Sequence, residues 1–527
     1  MLCSLLAVQL IVVHGGPIVQ TPLGSIEGVQ EGLVNVFRGI PYAESPGRFE
    51  VAQPKAAWTN TLNATVFGDS CAMDTGFSGL YGSSEDCLFA NVWAPVGAQG
   101  LPVVVFVHGG GFIIRSGAYP KVWGDEFVGA GQDNSVVYVT MNYRLGIFGF
   151  FSSDETGANF GIKDQQTALR WVQDNIQAFG GNPQEVTLMG QSAGAMAVYA
   201  HLTSPGSRGL FQRAFLASTV GLHYRNLEEN AELVTSLAHS VGCFFHDSLV
   251  SCLRSRPTAM LVAASFAQTV FQFGDSCPGC ENILPWLPVV DNDVLTQTPM
   301  SSIQSGTYNR VPTVLSTVRN ETKAFLSDKV RWALNNQLSY SALMSVLFGK
   351  NAEDFKDFYA SASDTAGMNF FTRLATASTD ALFTCYIKYN ARLMVKYAPT
   401  YLSYFMHAPS SHADPTNAKI DSQCEDGATC HASDLSFMFP ASSQMSQLLG
   451  FSYGSEEEAA FASSYAAAIR AFAHGDASDW VPYSADTGVA WDVQGASELV
   501  GYHSDYCSMM EAHGLPSGQW DSPRVVV

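Results

Sequence analysis

The chain is short of positive charge. Its 527 residues include 27 Lys and Arg against 47 Asp and Glu, which gives a net charge of −20. A surface of that sign repels phosphate backbones, so nucleic acid is not an expected partner. Internal repeats, low-complexity tracts and blocks of charge are also missing. The hydrophobic content of 47% is that of a globular protein rather than a disordered one.

Long hydrophobic runs are missing beyond the first residues. No later stretch reaches the roughly 18 apolar residues of a membrane helix, so we expect no integral membrane segment. The opening MLCSLLAVQLIVVHGG is apolar and of signal-peptide length, although it contains no Lys or Arg. A first β-strand is the alternative, but GGPIVQTPLGSIEGV downstream already supplies one. We therefore predict a signal peptide over residues 1–15 and a secreted, extracellular protein.

The cysteines fit an oxidising compartment. Eleven are present, and ten remain when Cys3 in the leader is set aside. Eight of them lie in local pairs, which are Cys71 with Cys87, Cys243 with Cys252, Cys277 with Cys280, and Cys424 with Cys430. Cys385 and Cys507 remain. Spacing does not prove connectivity. The CPGC at 277–280 lies in a Pro/Gly-rich loop without a helix to lower a thiol pKa, so we expect a structural bridge rather than a redox motif.

The N-terminal half alternates buried strands with helices. LPVVVFVHGGGF, NSVVYVTMNYRLG and EVTLMG are apolar runs of the kind found in sheets covered on both faces. Between the last two, Leu169, Val172, Ile176 and Phe179 recur at helical spacing before a glycine pair that can end the helix. The alternation predicts an α/β fold with a largely parallel central sheet and flanking helices.

The later part of the chain adds insertions to this sheet. Residues 222–310 have the pattern of short helices and loops, which we interpret as an excursion over the sheet edge, such as a lid or substrate wall. NRVPTVLSTVRNETKAF and PTYLSYFMHA then resemble further strands. Because no linker is visible, we predict one domain over residues 16–527.

A possible nucleophile lies in EVTLMGQSAGAMAVYA, where Ser192 sits between Gly190 and Gly194. A strand precedes the serine and helix-forming residues follow it, which is the context of a nucleophile elbow. A side chain at either glycine would collide within so tight a turn. A plain turn between a strand and a helix remains an alternative on these residues alone.

A possible oxyanion site follows another strand. In VVVFVHGGGF, the triple glycine allows backbone N–H groups to point into one cavity, and loops of this type stabilise the oxyanion in esterases and lipases. We assign Gly110, Gly111 and Ala193 as the donors. A phosphate-binding loop is the rival interpretation, but no Gly-Lys-Ser/Thr follows.

A serine hydroxyl needs a base, and in this type of fold the order is serine, acid, histidine. His431 lies in ATCHASDLSFMFP, a polar loop that enters an aromatic run. Glu321 follows the apolar stretch VPTVLSTV, at a strand end suited to a fixed carboxylate. Composition alone does not separate these two from a solvated histidine and a helix-capping glutamate.

The chain resembles the type-B carboxylesterase, or cholinesterase-like, family of α/β-hydrolases. The motifs that carry the resemblance run from about residue 21 to 480 and include FRGIPYAESPGRF, SEDCLFANVW, HGGGF, MNYRLGIFGFF, FGGNPQEVTLMGQSAGA and HASDLSFMF. The resemblance implies an α/β-hydrolase fold with the triad Ser192, Glu321 and His431. It also implies the disulfides Cys71–Cys87, Cys243–Cys252 and Cys385–Cys507.

Several residues depart from the family pattern. Gln191 stands where the family elbow usually has Glu, Ala432 where glycine usually follows the histidine, and Ser316 where glycine is usual before Glu321. The loop between Cys71 and Cys87 has no tryptophan to stack on a choline ammonium, which argues against acetylcholine as the preferred ester.

The sequence therefore predicts a secreted serine carboxylesterase that takes a small-molecule carboxylic ester and needs no metal or organic cofactor. A catalytically silent adhesion or binding protein of the same fold is the alternative. Asn63 in Asn-Ala-Thr is an expected glycan site, whereas Asn320 beside Glu321 is expected to stay unmodified. The exact ester and the oligomeric state do not follow from the sequence.

Overall fold

The computed structural model describes most of the chain. The described residues are 16–74, 76, 81–244, 248–268, 284–326, 334–362, 365–410, 424 and 427–514. The predicted signal peptide and the pair Cys277 and Cys280 lie outside these ranges, so both stay predictions.

One large sheet runs through the fold. The strands are β1 (Ile18–Thr21), β2 (Gly24–Glu27), β3 (Val29–Glu31), β4 (Val34–Pro41), β5 (Leu62–Asn63), β6 (Ser70–Cys71), β7 (Ser83–Ser84), β8 (Phe89–Pro95), β9 (Leu101–Val107), β10 (Val137–Met141), β11 (Gly181–Gln191), β12 (Arg213–Ala217), β13 (Thr313–Val318), β14 (Thr400–Phe405), β15 (Thr487–Asp492) and β16 (Gly495–Val500). Eleven of them form the sheet in the order β16-β15-β14-β13-β12-β11-β9-β10-β8-β4-β3. Neighbours from β15 to β10 are parallel, and the strands at both edges pair antiparallel. The predicted largely parallel sheet is confirmed.

Helices cover the sheet. The α-helices in the described ranges are α1 (Gly146–Phe150), α2 (Phe160–Asn175), α3 (Ala193–Thr203), α4 (Leu227–Ser240), α5 (Leu249–Ser255), α6 (Thr258–Ala267), α7 (Pro299–Ser305), α8 (Gln337–Phe348), α9 (Ala352–Ser361), α10 (Phe370–Thr379), α11 (Cys385–Met394), α12 (Leu435–Met438), α13 (Ser443–Leu449), α14 (Glu456–Ala473) and α15 (Ser504–Ala512). Tight 3-10 turns lie at Pro120–Val122, Ile176–Phe179, Pro205–Ser207, Glu321–Phe325 and Gly349–Asn351, and a π-turn lies at Asp380–Thr384. The stretch 222–310 contains α4 to α7, and within the described ranges no helix has the length and apolarity to cross a bilayer.

The sheet is buried on both faces, as its sequence requires. Along β9, Val103, Val105 and Val107 pack in one apolar core, and Val104 and Phe106 pack in the other. A strand without polar alternation suits a sheet that is covered on both sides. Because parallel strands place their carboxyl ends at one edge, the loops after β9, β11 and β13 converge there, where ligands bind in open α/β sheets.

Disulfides tie loops and helices to this frame. Those within the described residues are Cys71–Cys87, Cys243–Cys252, Cys385–Cys507 and Cys424–Cys430. The first three are the pairs that the family resemblance implied, and the fourth joins two cysteines whose pairing the sequence left open. Cys385–Cys507 links α11 to α15 across 122 residues of sequence.

Candidate active site

Ser192 stands on a sharp turn between a strand and a helix. β11 ends at Gln191 and α3 begins at Ala193, so the serine alone makes the turn. Its backbone has φ 58° and ψ −126°, a combination that residues with a Cβ rarely adopt. The Ser192 N–H donates to the Ala217 carbonyl at 2.9 Å, and the Ser192 carbonyl accepts from the Met196 N–H at 3.0 Å. Strain of this kind persists only where the surroundings enforce it, as in nucleophile elbows.

Gly190 and Gly194 are required by close approaches of backbone to backbone. A Cβ on Gly190 would lie 2.3 Å from the carbonyl oxygen of Gly194. A Cβ on Gly194 would lie 2.0 Å from the carbonyl oxygen of Val107, at the end of β9. The atoms in the way belong to a helix and a central strand, so they cannot move aside as a flexible side chain would. The structure therefore confirms that a side chain at either glycine would collide with backbone atoms, as the sequence predicted.

Glu321 and His431 form a buried pair. His431 Nδ1 lies 2.5 Å from Glu321 Oε2, and both side chains are almost completely inaccessible to solvent. The other carboxylate oxygen, Glu321 Oε1, accepts from the Thr317 hydroxyl at 2.8 Å and from the Val318 N–H at 2.9 Å. Thr317 and Val318 are the last residues of β13, so the strand end itself holds the carboxylate. With Nδ1–H donating to Glu321, the imidazole presents Nε2 as its acceptor.

The imidazole is enclosed by aromatic rings and by a strained loop. The ring centroids of Phe325 and Phe383 lie 4.8 and 5.6 Å from that of His431. Ala432, which stands where glycine is usual, has φ 67°. A residue with a Cβ in this left-handed region is strained. The departure from glycine at this position therefore introduces backbone strain directly beside the imidazole.

The acceptor side of the imidazole faces the elbow. His431 Nε2 lies 3.4 Å from Nε2 of Gln191, the residue before Ser192. Ser192 Oγ makes no hydrogen bond with any residue that the structure describes. Hydrogen bonds between nucleophile and base are often long before substrate binds. The fold therefore brings the imidazole to the residue next to Ser192.

The glycine loop after β9 packs directly on the elbow. A Cβ on Gly109 would lie 3.0 Å from the Cβ of Ser192, so the loop and the serine are neighbours. Gly110 and Gly111 have φ values of 103° and 62°, which glycine adopts without strain. The N–H groups of Gly110, Gly111 and Ala193 donate to no acceptor among the described residues. Three donors next to one serine can stabilise a negative charge that develops there.

Asp434 is a buried acid that the sequence analysis missed. It follows His431 by three residues at the start of α12, and it is fully buried. Neither carboxyl oxygen has a hydrogen-bond partner within the described ranges. Burial, and secondarily the nearby charge of Glu321, raises the pKa of Asp434 to about 8, so this carboxyl is largely protonated at neutral pH. An Asp at the head of the apolar run LSFMF was the available signal.

The site consists of organic side chains and backbone. Across the described part of the chain, no group of three or more His, Cys, Asp and Glu side chains is arranged to hold a metal ion. The groups brought together at the site are a hydroxyl, an imidazole paired with a carboxylate, and backbone donors, which together suit acyl transfer.

Comparisons with known proteins point to one family. A model of the carboxylesterase family matches residues 15–499. The "cAMP-regulated D2 protein" of Dictyostelium discoideum is 32% identical over 447 residues, covering 82% of this chain and 80% of that protein. The para-nitrobenzyl esterase of Bacillus subtilis is 33% identical over 358 residues, covering 65% of this chain and 70% of that protein. A solved structure of a PNB esterase superposes with a TM-score of 0.76 at 28% identity, covering 93% of this chain and 99% of the other.

Proposed function

Because the chain belongs to the carboxylesterase family, we propose that this carboxylic ester hydrolase works through an acyl-enzyme on Ser192, with His431 as the base and Glu321 as its acid partner. One observation carries the proposal. The buried pair of His431 and Glu321 presents its acceptor nitrogen to the residue beside Ser192. The glycine loop, whose Gly110 and Gly111 N–H groups have no acceptor among the described residues, packs against the same serine.

In the proposed reaction, Ser192 Oγ attacks the carbonyl carbon of the ester while His431 Nε2 takes the hydroxyl proton. The carboxylate of Glu321 holds the imidazole in the required tautomer and stabilises its charged form. The N–H groups of Gly110, Gly111 and Ala193 stabilise the tetrahedral oxyanion, and each such donor is worth about 3 kcal/mol of transition-state energy.

Collapse of the tetrahedral intermediate breaks the bond to the alcohol, which takes the proton from His431 as it leaves. The acyl group stays on Ser192. Water then attacks this acyl-enzyme with His431 again as the base, and the carboxylic acid is released. The steps need no metal and no organic cofactor.

The proposed substrates are short-chain carboxylic esters, with lipid esters and choline esters as less favoured classes. Gln191 places a neutral amide beside the base, and Asp434 is largely protonated at neutral pH, so neither residue offers a negative charge to a substrate cation. The name of the Bacillus relative refers to an ester of an aromatic alcohol, which is compatible with a neutral substrate.

We also propose that the protein is secreted as one domain over residues 16–527, after removal of residues 1–15. The disulfides support an oxidising compartment. Asn63 has an exposed side chain at the end of β5 and is the proposed glycan site. Asn320 accepts from the Thr429 N–H at 3.3 Å, and Thr322 of its sequon is buried, so a glycan there is not expected.

The test is hydrolysis of p-nitrophenyl acetate by the wild type and by Ser192→Ala, Glu321→Gln and His431→Asn. Ser192→Ala is expected to lose about a thousandfold or more in kcat. The exposed Ser463→Ala on α14 is the matched control and should leave the rate unchanged. A fluorophosphonate should add its mass to the peptide that contains Ser192.

Equal rates for the wild type and Ser192→Ala would remove the catalytic proposal. Equal rates at the uncatalysed background would favour the alternative, a binding protein on the same fold. A chain-length series of p-nitrophenyl esters together with a choline thioester then ranks the substrate classes.

A further inference from the structure

His108 precedes the glycine loop and is buried against it. Its Nδ1 lies 2.9 Å from the carbonyl oxygen of Gly109. The imidazole stacks on the ring of Tyr143, with centroids 4.4 Å apart and planes inclined by 21°. The Tyr143 hydroxyl in turn donates to the carbonyl oxygen of His108 at 2.9 Å. Histidine and tyrosine therefore form one buried unit at the root of the loop.

These two hydrogen bonds fix two successive peptide groups. Tyr143 holds the peptide between His108 and Gly109 through its carbonyl, and the imidazole holds the next peptide through the carbonyl of Gly109. A trans peptide is planar, with its C=O and N–H pointing in opposite directions. Fixing the Gly109 carbonyl on His108 therefore aims the N–H of Gly110 away from His108. Without such an anchor, a run of glycines has wide conformational freedom.

The protonation states suit this role. Burial lowers the pKa of His108 to about 4, so the imidazole is neutral at neutral pH and carries its proton on Nδ1, where it donates to Gly109. Burial raises the pKa of the Tyr143 hydroxyl far above neutrality, so this group remains a donor. Nε2 of His108 is buried and has no hydrogen-bond partner within the described ranges. The neutral imidazole contributes orientation rather than charge.

We propose that His108, held by Tyr143, is a positioning residue that aims the N–H of Gly110 at the oxyanion of the tetrahedral intermediate. This inference rests on the proposed function of Ser192 and adds a residue that acts through the glycine loop. Because the donor matters most when negative charge develops, loss of the anchor lowers kcat more than it raises KM.

The test compares His108→Phe, which keeps an aromatic ring for stacking but has no donor, with His108→Asn, whose amide can replace Nδ1–H. The expected fall in kcat for the Phe variant is about 10- to 100-fold, below the 10²- to 10³-fold cost of losing an oxyanion donor outright. The Asn variant should recover at least half of that loss on a logarithmic scale. The exposed His239→Phe on α4 is the matched control and should leave kcat unchanged.

A second measurement reports on the oxyanion directly. A trifluoromethyl ketone forms a tetrahedral adduct with a catalytic serine, so its inhibition constant should rise in proportion to the fall in kcat across the variants. Tyr143→Phe loses only the hydrogen bond to the carbonyl oxygen of His108. It should show the same pattern, with kcat lowered a few fold. If thermal melting shows that His108→Phe does not fold, Tyr143→Phe decides the question by the same two measurements.

The inference is overturned if folded His108→Phe or Tyr143→Phe keeps kcat within twofold of the wild type, if KM alone changes, or if inhibition by the ketone is unaffected. These results are distinct from failure of the proposed function, which would appear as hydrolysis that survives Ser192→Ala. A Ser192-dependent enzyme with a fully active His108→Phe would retain the catalytic proposal and reject the positioning role.

Discussion

Asp434 makes the stability of the protein depend on pH in an unusual direction. Its pKa is raised to about 8 from an ordinary value of 3.8, chiefly by burial, so the folded state holds a proton that the unfolded chain releases. Stability is greatest below pH 3.8 as far as this group is concerned, falls as pH rises between 3.8 and 8, and is constant above that. Each unit in that interval costs about 1.4 kcal/mol, so about 2 to 3 kcal/mol is lost between pH 5 and pH 7.

The perturbation is Asp434→Asn, which keeps the size of the side chain and cannot ionise. We expect the free energy of unfolding by denaturant to increase for the variant relative to the wild type as pH rises from 5 to 8. The reason is that only the wild type must bury a charge or bind a proton. The exposed Asp479→Asn, near the end of α14, is the control and should run parallel to the wild type. The reasoning is refuted if the Asp434→Asn curve also runs parallel to the wild type, or if the gap widens as pH falls.

Three further predictions concern the elbow and the glycans. Gly194→Ala should abolish hydrolysis, because its Cβ would lie 2.0 Å from a backbone oxygen of β9. Ala197→Gly, on the same helix, is the control. A folded and active Gly194→Ala would contradict the close packing. Gln191→Glu should raise kcat/KM for a choline thioester relative to its uncharged dimethylbutyl analogue, since it adds a carboxylate beside His431, and an unchanged ratio would count against the electrostatic argument. Asn63→Gln should remove one glycan by mass spectrometry, whereas a glycan on Asn320 would contradict its assigned surroundings.

The sequence predicted the parts of the site that depend on local sterics. Glycines at 190 and 194, and at 109 and 110 after β9, are needed because a Cβ at each would meet backbone atoms. Such requirements appear in the sequence as short motifs. The parallel sheet was also predictable. A strand such as β9 contributes side chains to both apolar cores, so its sequence is an unbroken apolar run without alternating polar residues. The antiparallel strands at the edges and the π-turn at Asp380–Thr384 have no comparable signal.

The proposed acid and base were harder to predict, because their pairing spans 110 residues of sequence. Only the family resemblance selected Glu321 and His431 from the other candidates. Asp434 was missed because its burial is a tertiary property, and an Asp in that position would otherwise be a helix cap. The anchoring contact of His108 was equally invisible, since it depends on Tyr143 from the strand end beyond β10.

The structure also shows why composition could not have singled out the proposed base, His431. Two other histidines are paired with buried carboxylates, His407 with Glu458 at 2.7 Å and His503 with Asp380 at 2.6 Å. Each has the short contact from a ring nitrogen to a carboxylate that is often taken as the mark of a catalytic dyad. Such a pair is therefore a recurring structural unit in this protein, and it carries no catalytic information by itself.

The three pairs differ in whether the imidazole lies near the elbow of Ser192. The imidazole of His407 lies among the rings of Phe437 and Phe461, with centroids 5.2 and 5.5 Å away. That of His503 is stacked between Tyr502 and Tyr506. The imidazole of His431 reaches the residue next to Ser192, at a turn that only small neighbours permit. Strands β11 and β13 are separated only by β12 and end at the same edge of the sheet. The strained turn that carries Ser192 therefore lies near the imidazole of His431, which makes this paired histidine the candidate base.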